Sequence, residues 1–360
     1  MANTQPPRFR RPIVVGVLVS ACSLVGAAAP PEQGGGLADR VAALEATVSS
    51  LTQQVAALGM GVTIDVHCGT GATIQAALLG VQHHPAAVRI NVFGVCSENV
   101  RISRNNVQIR AGAPGAGITA AIPFQPVIRT EPFGLGLRLL TLVGLTISGG
   151  NNGVLLDYGS QAQLVDCIVT NNSGAGIQVA RQSIVRLENV VAEANGGPGV
   201  SAATGSLAVI NGGTVRNNTS DGVALFNATA EIGNSVVIAS NGRYGISPSN
   251  HSVLSLNAAT VTANAITGVF VSGGSHVSLG AGASITANTG SGISLMDTSI
   301  VHKHRSLADI HITNNGAWGI VCSVPPAVAQ IVGFTFQTGD ISGNPSGNIN
   351  CPISPGPLAQ

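Results

Sequence analysis

Residues 192–200 read Ala-Glu-Ala-Asn-Gly-Gly-Pro-Gly-Val, residues 215–223 read Val-Arg-Asn-Asn-Thr-Ser-Asp-Gly-Val, and residues 238–246 read Ile-Ala-Ser-Asn-Gly-Arg-Tyr-Gly-Ile. Each has an apolar residue, an Asn three places on, and a Gly-aliphatic pair that begins four places after the Asn. The pattern continues in both directions. Gly153, Gly176, Gly199, Gly222, Gly245, Gly268, Gly292 and Gly319 all precede Val or Ile, at intervals of 23, 23, 23, 23, 23, 24 and 27 residues. Asn172, Asn195, Asn218, Asn241, Asn264, Asn288 and Asn315 stand four residues before every one of these Gly except the first. A fixed period of this length marks a stacked repeat, in which a unit too small to bury its own apolar face is completed by its neighbours.

Within each period the apolar residues alternate. Val169, Ala192, Val215, Ile238, Val261, Ile285 and Ile312 lie before the Asn; Val179, Leu225, Val271, Leu295 and Cys322 lie after the Gly-aliphatic pair. A second alternating pair follows, as in Val185/Leu187, Leu254/Leu256 and Val277/Leu279. Alternation over such brief segments, broken by Gly and Asn, predicts about three short strands per repeat. That is one turn of a right-handed parallel β-helix, an all-β solenoid whose equivalent residues stack about 4.8 Å apart. The Asn side chains are expected to bond to one another along the axis inside a turn that Asn tolerates.

The Asn-Asn-x-x-x-Gly-Val/Ile repeats resemble the right-handed parallel β-helix repeat family, whose fold is shared with pectate lyases and related polysaccharide enzymes. The segment Cys68-Gly69-Thr70-Gly71-Ala72-Thr73-Ile74, followed by Ile90-Asn91-Val92-Phe93-Gly94-Val95-Cys96-Ser97-Glu98-Asn99-Val100, is similar to the start of many secreted bacterial members. There a short helix covers the first turn, which places one at about 72–80 here. The resemblance spans 62–352, leaving 353–360 as a tail. It is specific for fold and weak for function, because one fold hosts many activities and none.

Composition agrees with a solenoid. Only 9% of the 360 residues are charged and 3% aromatic, while 47 are Gly and 44% are apolar. Lys and Arg number 16 against 15 Asp and Glu, which excludes a disordered polar chain and gives no basic excess for nucleic acid.

The N-terminus reads as an export signal over 1–29. Arg8, Arg10 and Arg11 precede an apolar run, Ile13–Val25, that is short for a membrane span. Two processing readings fit. Val19-Ser20-Ala21-Cys22 resembles a bacterial lipobox, with Cys22 the lipid-bearing residue, and Ala27-Ala28-Ala29 satisfies ordinary signal cleavage. Cleavage before Cys22 removes three of the 16 basic residues and none of the 15 acidic ones, leaving a net charge of −2. A Pro/Gly linker over 30–36 leads to Leu37, Val41, Leu44, Val48, Leu51, Val55 and Leu58, spaced 4, 3, 4, 3, 4, 3. This a/d seam predicts a coiled-coil helix over 37–58 and a homo-oligomer; a single amphipathic helix is the alternative.

Register pairs the cysteines. Ile341-Ser342-Gly343-Asn344 extends the ladder, and Cys322 and Cys351 each fall seven residues beyond a ladder Asn, on adjacent turns at a separation that disulfide geometry accepts. Cys68 and Cys96 flank the first-turn helix and form the second expected bridge, plausible chemistry outside the cytoplasm. Cys167 aligns with Val190, Val236 and Ile310 and reads as a buried free thiol.

Catalysis finds little support. Lyases of this fold need acidic Ca²⁺ ligands and a basic residue on one face; hydrolases need clustered carboxylates. Asp157, Asp166, Glu188, Glu193, Asp221, Glu231, Asp297 and Asp309 fall at scattered offsets. The outward positions Leu155, Gln178, Ser201, Ala224, Ser247, Phe270, Ser294 and Val321 are uncharged. None of the sets of polygalacturonases or alginate epimerases is present, so no catalytic residue is carried over, and no metal or cofactor is expected. Glu193 and Arg216 should face each other as a surface ion pair. His302, Lys303, His304 and Arg305 lie in the 27-residue repeat as a projecting insertion, a candidate anion or acidic-glycan contact. Tyr244 and Trp318 each precede a repeat Gly three turns apart, a candidate stacking track for sugar.

The expectation is an exported, lipid-anchored or secreted cell-surface protein with a structural, adhesive or glycan-binding role and a surface polysaccharide as partner. The alternative is a polysaccharide lyase, hydrolase or epimerase on the same fold; a trimeric fibre is a third assembly.

Overall fold

The computed structural model describes residues 61–131, 139–303, 309–323, 330–333, 340–351 and 353–355. The chain divides into two compact units, Met1–Leu58 and Gly59–Gln360, and the described residues all lie in the second. The signal, Cys22, the linker, the heptad helix, His304 and Arg305 therefore lie outside the described residues.

The second unit is an all-β parallel solenoid. A typical turn is Gln161–Val165, Ile168–Thr170 and Ile177–Val179. The first two strands join a large 22-stranded sheet that wraps two sides, and the third joins an eleven-stranded sheet on the remaining side. In two turns the first pair fuses into ten-residue strands, Ile184–Glu193 and Leu207–Arg216. Pairing keeps the register of the repeat. Val154, Ile177, Val200, Val223, Ile246, Val269, Ile293 and Ile320 are successive partners, all fully buried. Leu142, Leu164, Leu187, Ile210, Ile232, Leu256 and Leu279 make a second interior column. Aliphatics stacked at the strand spacing fill the narrow bore, and no Phe, Tyr or Trp is among the buried core residues described.

The Asn ladder runs unbroken from Asn172 to Asn344. Each Nδ2 donates to the Oδ1 of the next Asn at 2.9–3.2 Å, and each Oδ1 also accepts the backbone N–H of the preceding ladder Asn. The left-handed conformation falls on the residue before the ladder Asn: Asn171, Ala194, Asn217, Ser240, Ala263, Ala287 and Asn314 have φ of 53–56°. The repeat Gly is also not the turn residue. A Cβ on Gly245 would sit 2.3 Å from Val261 Cγ1, 2.6 Å from the Gly268 carbonyl and 2.8 Å from Asn264 Nδ2, so close approach of the next turn selects Gly.

A second, shorter ladder of buried serines lies at another corner. Ser160 N donates to Ser183 Oγ at 3.2 Å, Ser252 N to Ser275 Oγ at 3.1 Å, and Ser275 N to Ser299 Oγ at 3.3 Å.

The N-terminal end is covered by a helix, and a disulfide lies near each end of the described solenoid. The helix Ile74–Gly80 begins at Thr73, whose Oγ1 accepts Ala76 N, and the buried Glu98 carboxylate accepts Ile74 N at 2.7 Å and Gln75 N at 2.9 Å. Gln75 in turn accepts Arg101 N at 2.7 Å, covering the open edge of the first strand of the eleven-stranded sheet. Both expected disulfides are formed, Cys68–Cys96 and Cys322–Cys351, with Cα separations of 4.9 and 5.0 Å. Cys167 is a buried free thiol. Pairing extends past the expected limit: Ile353–Pro355 is a strand beside Ile331–Gly333, so the tail begins later than 353.

Candidate functional site

The outer face of the eleven-stranded sheet has a simple diagonal rule. The residue before the Gly of one turn touches the residue two after the Gly of the next. Asn152 Nδ2 donates to Gln178 Oε1 at 2.9 Å, Ser247 Oγ donates to Asp221 Oδ2 at 2.6 Å, and the Tyr244 ring stacks on Phe270 at 4.5 Å and 7°. The last two contacts are adjacent and enclose a cleft of about 280 Å³ lined by Asp221, Phe226, Arg243, Tyr244, Ser247 and Phe270.

Asp221 is 5% exposed, and its Oδ1 also accepts Tyr244 N at 3.3 Å. Arg243 lies 3.9 Å from the same oxygen through Nε and sits 4.9 Å over the Tyr244 ring. The carboxylate is therefore compensated and holds the tyrosine's backbone in place. Phe226, from the turn that carries Asp221, is 57% exposed. Phe226 and Phe270 are two turns apart, roughly 10 Å along the axis, and the floor between them holds only small residues such as Ala224 and Ser247. The exposed Phe226 and the half-buried Tyr244–Phe270 stack, beside a floor that carries the Ser247 hydroxyl, are an arrangement for stacking and hydrogen bonding a polar ring.

Tyr244 thus sits in the cleft, with partners that the sequence reading did not give it. Trp318 lies three turns away, where its ring covers Gly347: a Cβ there would sit 2.5 Å from Trp318 Cζ3. A smaller group, Asp157, Tyr158 and Arg181, borders the same sheet, with Arg181 2.8 Å from Asp157 and 4.7 Å over the Tyr158 ring. The Asp221–Ser247 and Tyr244–Phe270 contacts were findable by the diagonal rule, since Asp221 and Tyr244 precede consecutive repeat Gly, whereas Phe226 and Arg243 lie off that diagonal.

Lys303 requires a correction. It ends the strand Ile300–Lys303 and pairs with Leu279, so it occupies the interior column rather than a projecting loop. Its Nζ lies 2.7 Å from Asp340 Oδ2, and both side chains are 8% exposed. The ammonium is committed inside the protein. His302 is half-buried, its ring 5.7 Å from that of His276. Among the described residues no three His, Cys, Asp or Glu side chains are grouped to hold a metal. Glu193 and Arg216 pair at 2.8 Å on adjacent turns.

A larger groove of about 560 Å³ crosses the first turns of the other sheet, between Thr63, Arg89, Gln108, Leu139 and Thr141. It brings together neither aromatic rings nor acids, and Arg89 there is engaged by Gln108 at 2.7 Å. The smaller cleft carries more recognition chemistry.

Residues 138–281 match the family model described as a right handed beta helix region, in agreement with the parallel solenoid described above. No curated protein matches the sequence. Among solved structures, the mannuronan C-5 epimerase AlgE6 A-module of Azotobacter vinelandii aligns over 79% of this chain and 95% of its own, at 16% identity and a TM-score of 0.52. Geobacillus virus E2 ORF18 aligns over 90% of this chain and 64% of its own, at 13% identity and a TM-score of 0.40. The Agl-KA catalytic domain aligns over 81% and 68%, at 12% identity and a TM-score of 0.39. At 16% identity the likeness to the epimerase module is one of fold.

Proposed function

We propose that this is an exported cell-surface protein that binds a polysaccharide along the outer face of the eleven-stranded sheet, with the Asp221–Phe270 cleft as its main contact. The observation that carries this reading is the stacked Tyr244–Phe270 pair facing the exposed Phe226 across a floor of small residues. A ring as exposed as Phe226 is costly to keep in water without a partner, and sugar rings offer apolar C–H faces for stacking with hydroxyls at their rims. Two disulfides favour an oxidising compartment, which agrees with the export signal read at residues 1–29. Attachment through Cys22 and self-association through residues 37–58 complete the proposal.

The test is retention of the full chain on a panel of immobilised neutral and acidic polysaccharides. Phe226→Ala and Phe270→Ala should each weaken binding about tenfold while leaving thermal unfolding nearly unchanged. No retained glycan, or equal retention of wild type and variants, overturns the reading.

The second reading is a polysaccharide-active enzyme, favoured by the buried Asp221 beside Ser247 and by the fold of the epimerase module. Turnover measured as new reducing ends, unsaturated uronate or epimer ratio, and abolished by Asp221→Asn, would establish it over simple binding.

A further inference from the structure

The interior column that holds Leu256 and Leu279 in successive turns holds Lys303 in the next, and its ammonium meets Asp340, 37 residues on. Two charges in an aliphatic bore are an expensive choice, since residues of similar volume without charge pack there in every preceding turn. We propose that Lys303 and Asp340 condense to an internal amide cross-link.

The geometry supplies the reactants. Nζ and Oδ2 are 2.7 Å apart with both side chains 8% exposed, so the nucleophile is held against the carboxyl group and bulk water is excluded. The reactive form is the neutral pair, the tautomer in which one proton has moved from nitrogen to the carboxyl oxygen 2.7 Å away. The amine lone pair of Lys303 then attacks Cγ of Asp340, forming the C–N bond. The C–O bond of the protonated oxygen breaks, and that hydroxyl leaves with a second proton from nitrogen as water. Charge is zero before and after, and no oxidant or reductant is involved. The product ties the strand Ile300–Lys303 to the segment entering Ile341–Ser342, beside the turns that Cys322–Cys351 already joins. It would give the C-terminal end a fastening that survives reduction.

Intact mass spectrometry of the folded full chain, purified, held at neutral pH and then reduced and denatured, reads the result directly. The expected outcome is a deficit of one water molecule and a tryptic peptide in which Lys303 is uncleaved and joined to Asp340. Dehydration at Asp221-Gly222 could mimic the mass alone, so Asp340→Ala and Lys303→Met are measured beside it. Both should restore the full mass while retaining the Cys68–Cys96 disulfide as evidence of folding. Wild type at full mass with both disulfides formed overturns the proposal, as does a deficit that persists in Asp340→Ala. If the variants fail to fold, the presence or absence of the linked peptide in wild type decides the question.

Discussion

Asn241 holds two turns together through one side chain. Its Oδ1 accepts from the backbone and side-chain nitrogens of Asn218 at 3.2 and 3.0 Å, while its Nδ2 donates to the Val215 carbonyl at 3.1 Å and to Asn264 at 3.0 Å. Removing it strands several buried groups, each at about 1–3 kcal/mol. Asn241→Ala should therefore lower the unfolding free energy by at least about 3 kcal/mol in urea titrations, against less than about 0.5 kcal/mol for the exposed Asn257→Ala. The residue before a ladder Asn makes the opposite prediction. Ala263 is held at φ 53°, where a Cβ costs roughly 1–2 kcal/mol, so Ala263→Gly should stabilise by up to about 1 kcal/mol after the entropy of Gly is subtracted. Burial pushes the Cys167 thiol from 9.0 up to about 11, because the thiolate would be desolvated. The folded state prefers the protonated form, so this contribution is intact below pH 9 and is lost as pH rises toward 11. Thiol-reagent labelling should be blocked in the native protein and released on unfolding. At this scale the ladder was legible as spacing. The cause of each Gly was not, since Val261 and the Gly268 carbonyl approach Gly245 from a neighbouring turn.

Single elements show where a one-turn pattern runs out of information. The interval of 27 residues marks an insertion, yet the strand continues through Lys303 because Asp340, far along the chain, receives its charge inside the bore. Nothing within the repeat announces that partner. The stack of Tyr244 on Phe270 was missed for a related reason: the contact is diagonal, while columns of equivalent residues were compared straight along the axis. The helix Ile74–Gly80 was legible from its neighbours, but its anchoring by Glu98 was not. Glu98→Ala removes two charge-assisted bonds to the helix N-terminus and should cost about 2–3 kcal/mol locally. Amide hydrogen exchange would show this as faster exchange confined to the first turns, with the central turns unchanged.

The whole solenoid is an addition of near-identical layers, so its stability should be close to a sum over turns and their interfaces. Excising residues 195–217 joins Ala194 to Asn218 and preserves the ladder, every downstream column and the Asp221 cleft. The shortened chain should fold with the remaining strands intact by circular dichroism, its solenoid shorter by about 4.8 Å. A deletion of 20 residues instead should misfold, because it breaks the register of the columns. The ladder also gives the stack an electrical direction. All seven Asn-to-Asn bonds point their N–H toward the C-terminal end, so the side-chain amide dipoles add rather than cancel as they do between alternating strand bonds. Each amide polarises the next, and the row behaves as a permanent internal electret some 34 Å long. Its two ends differ in sign, so an anionic group approaching the last turns and a cationic one approaching the first meet a favourable field that no surface charge creates.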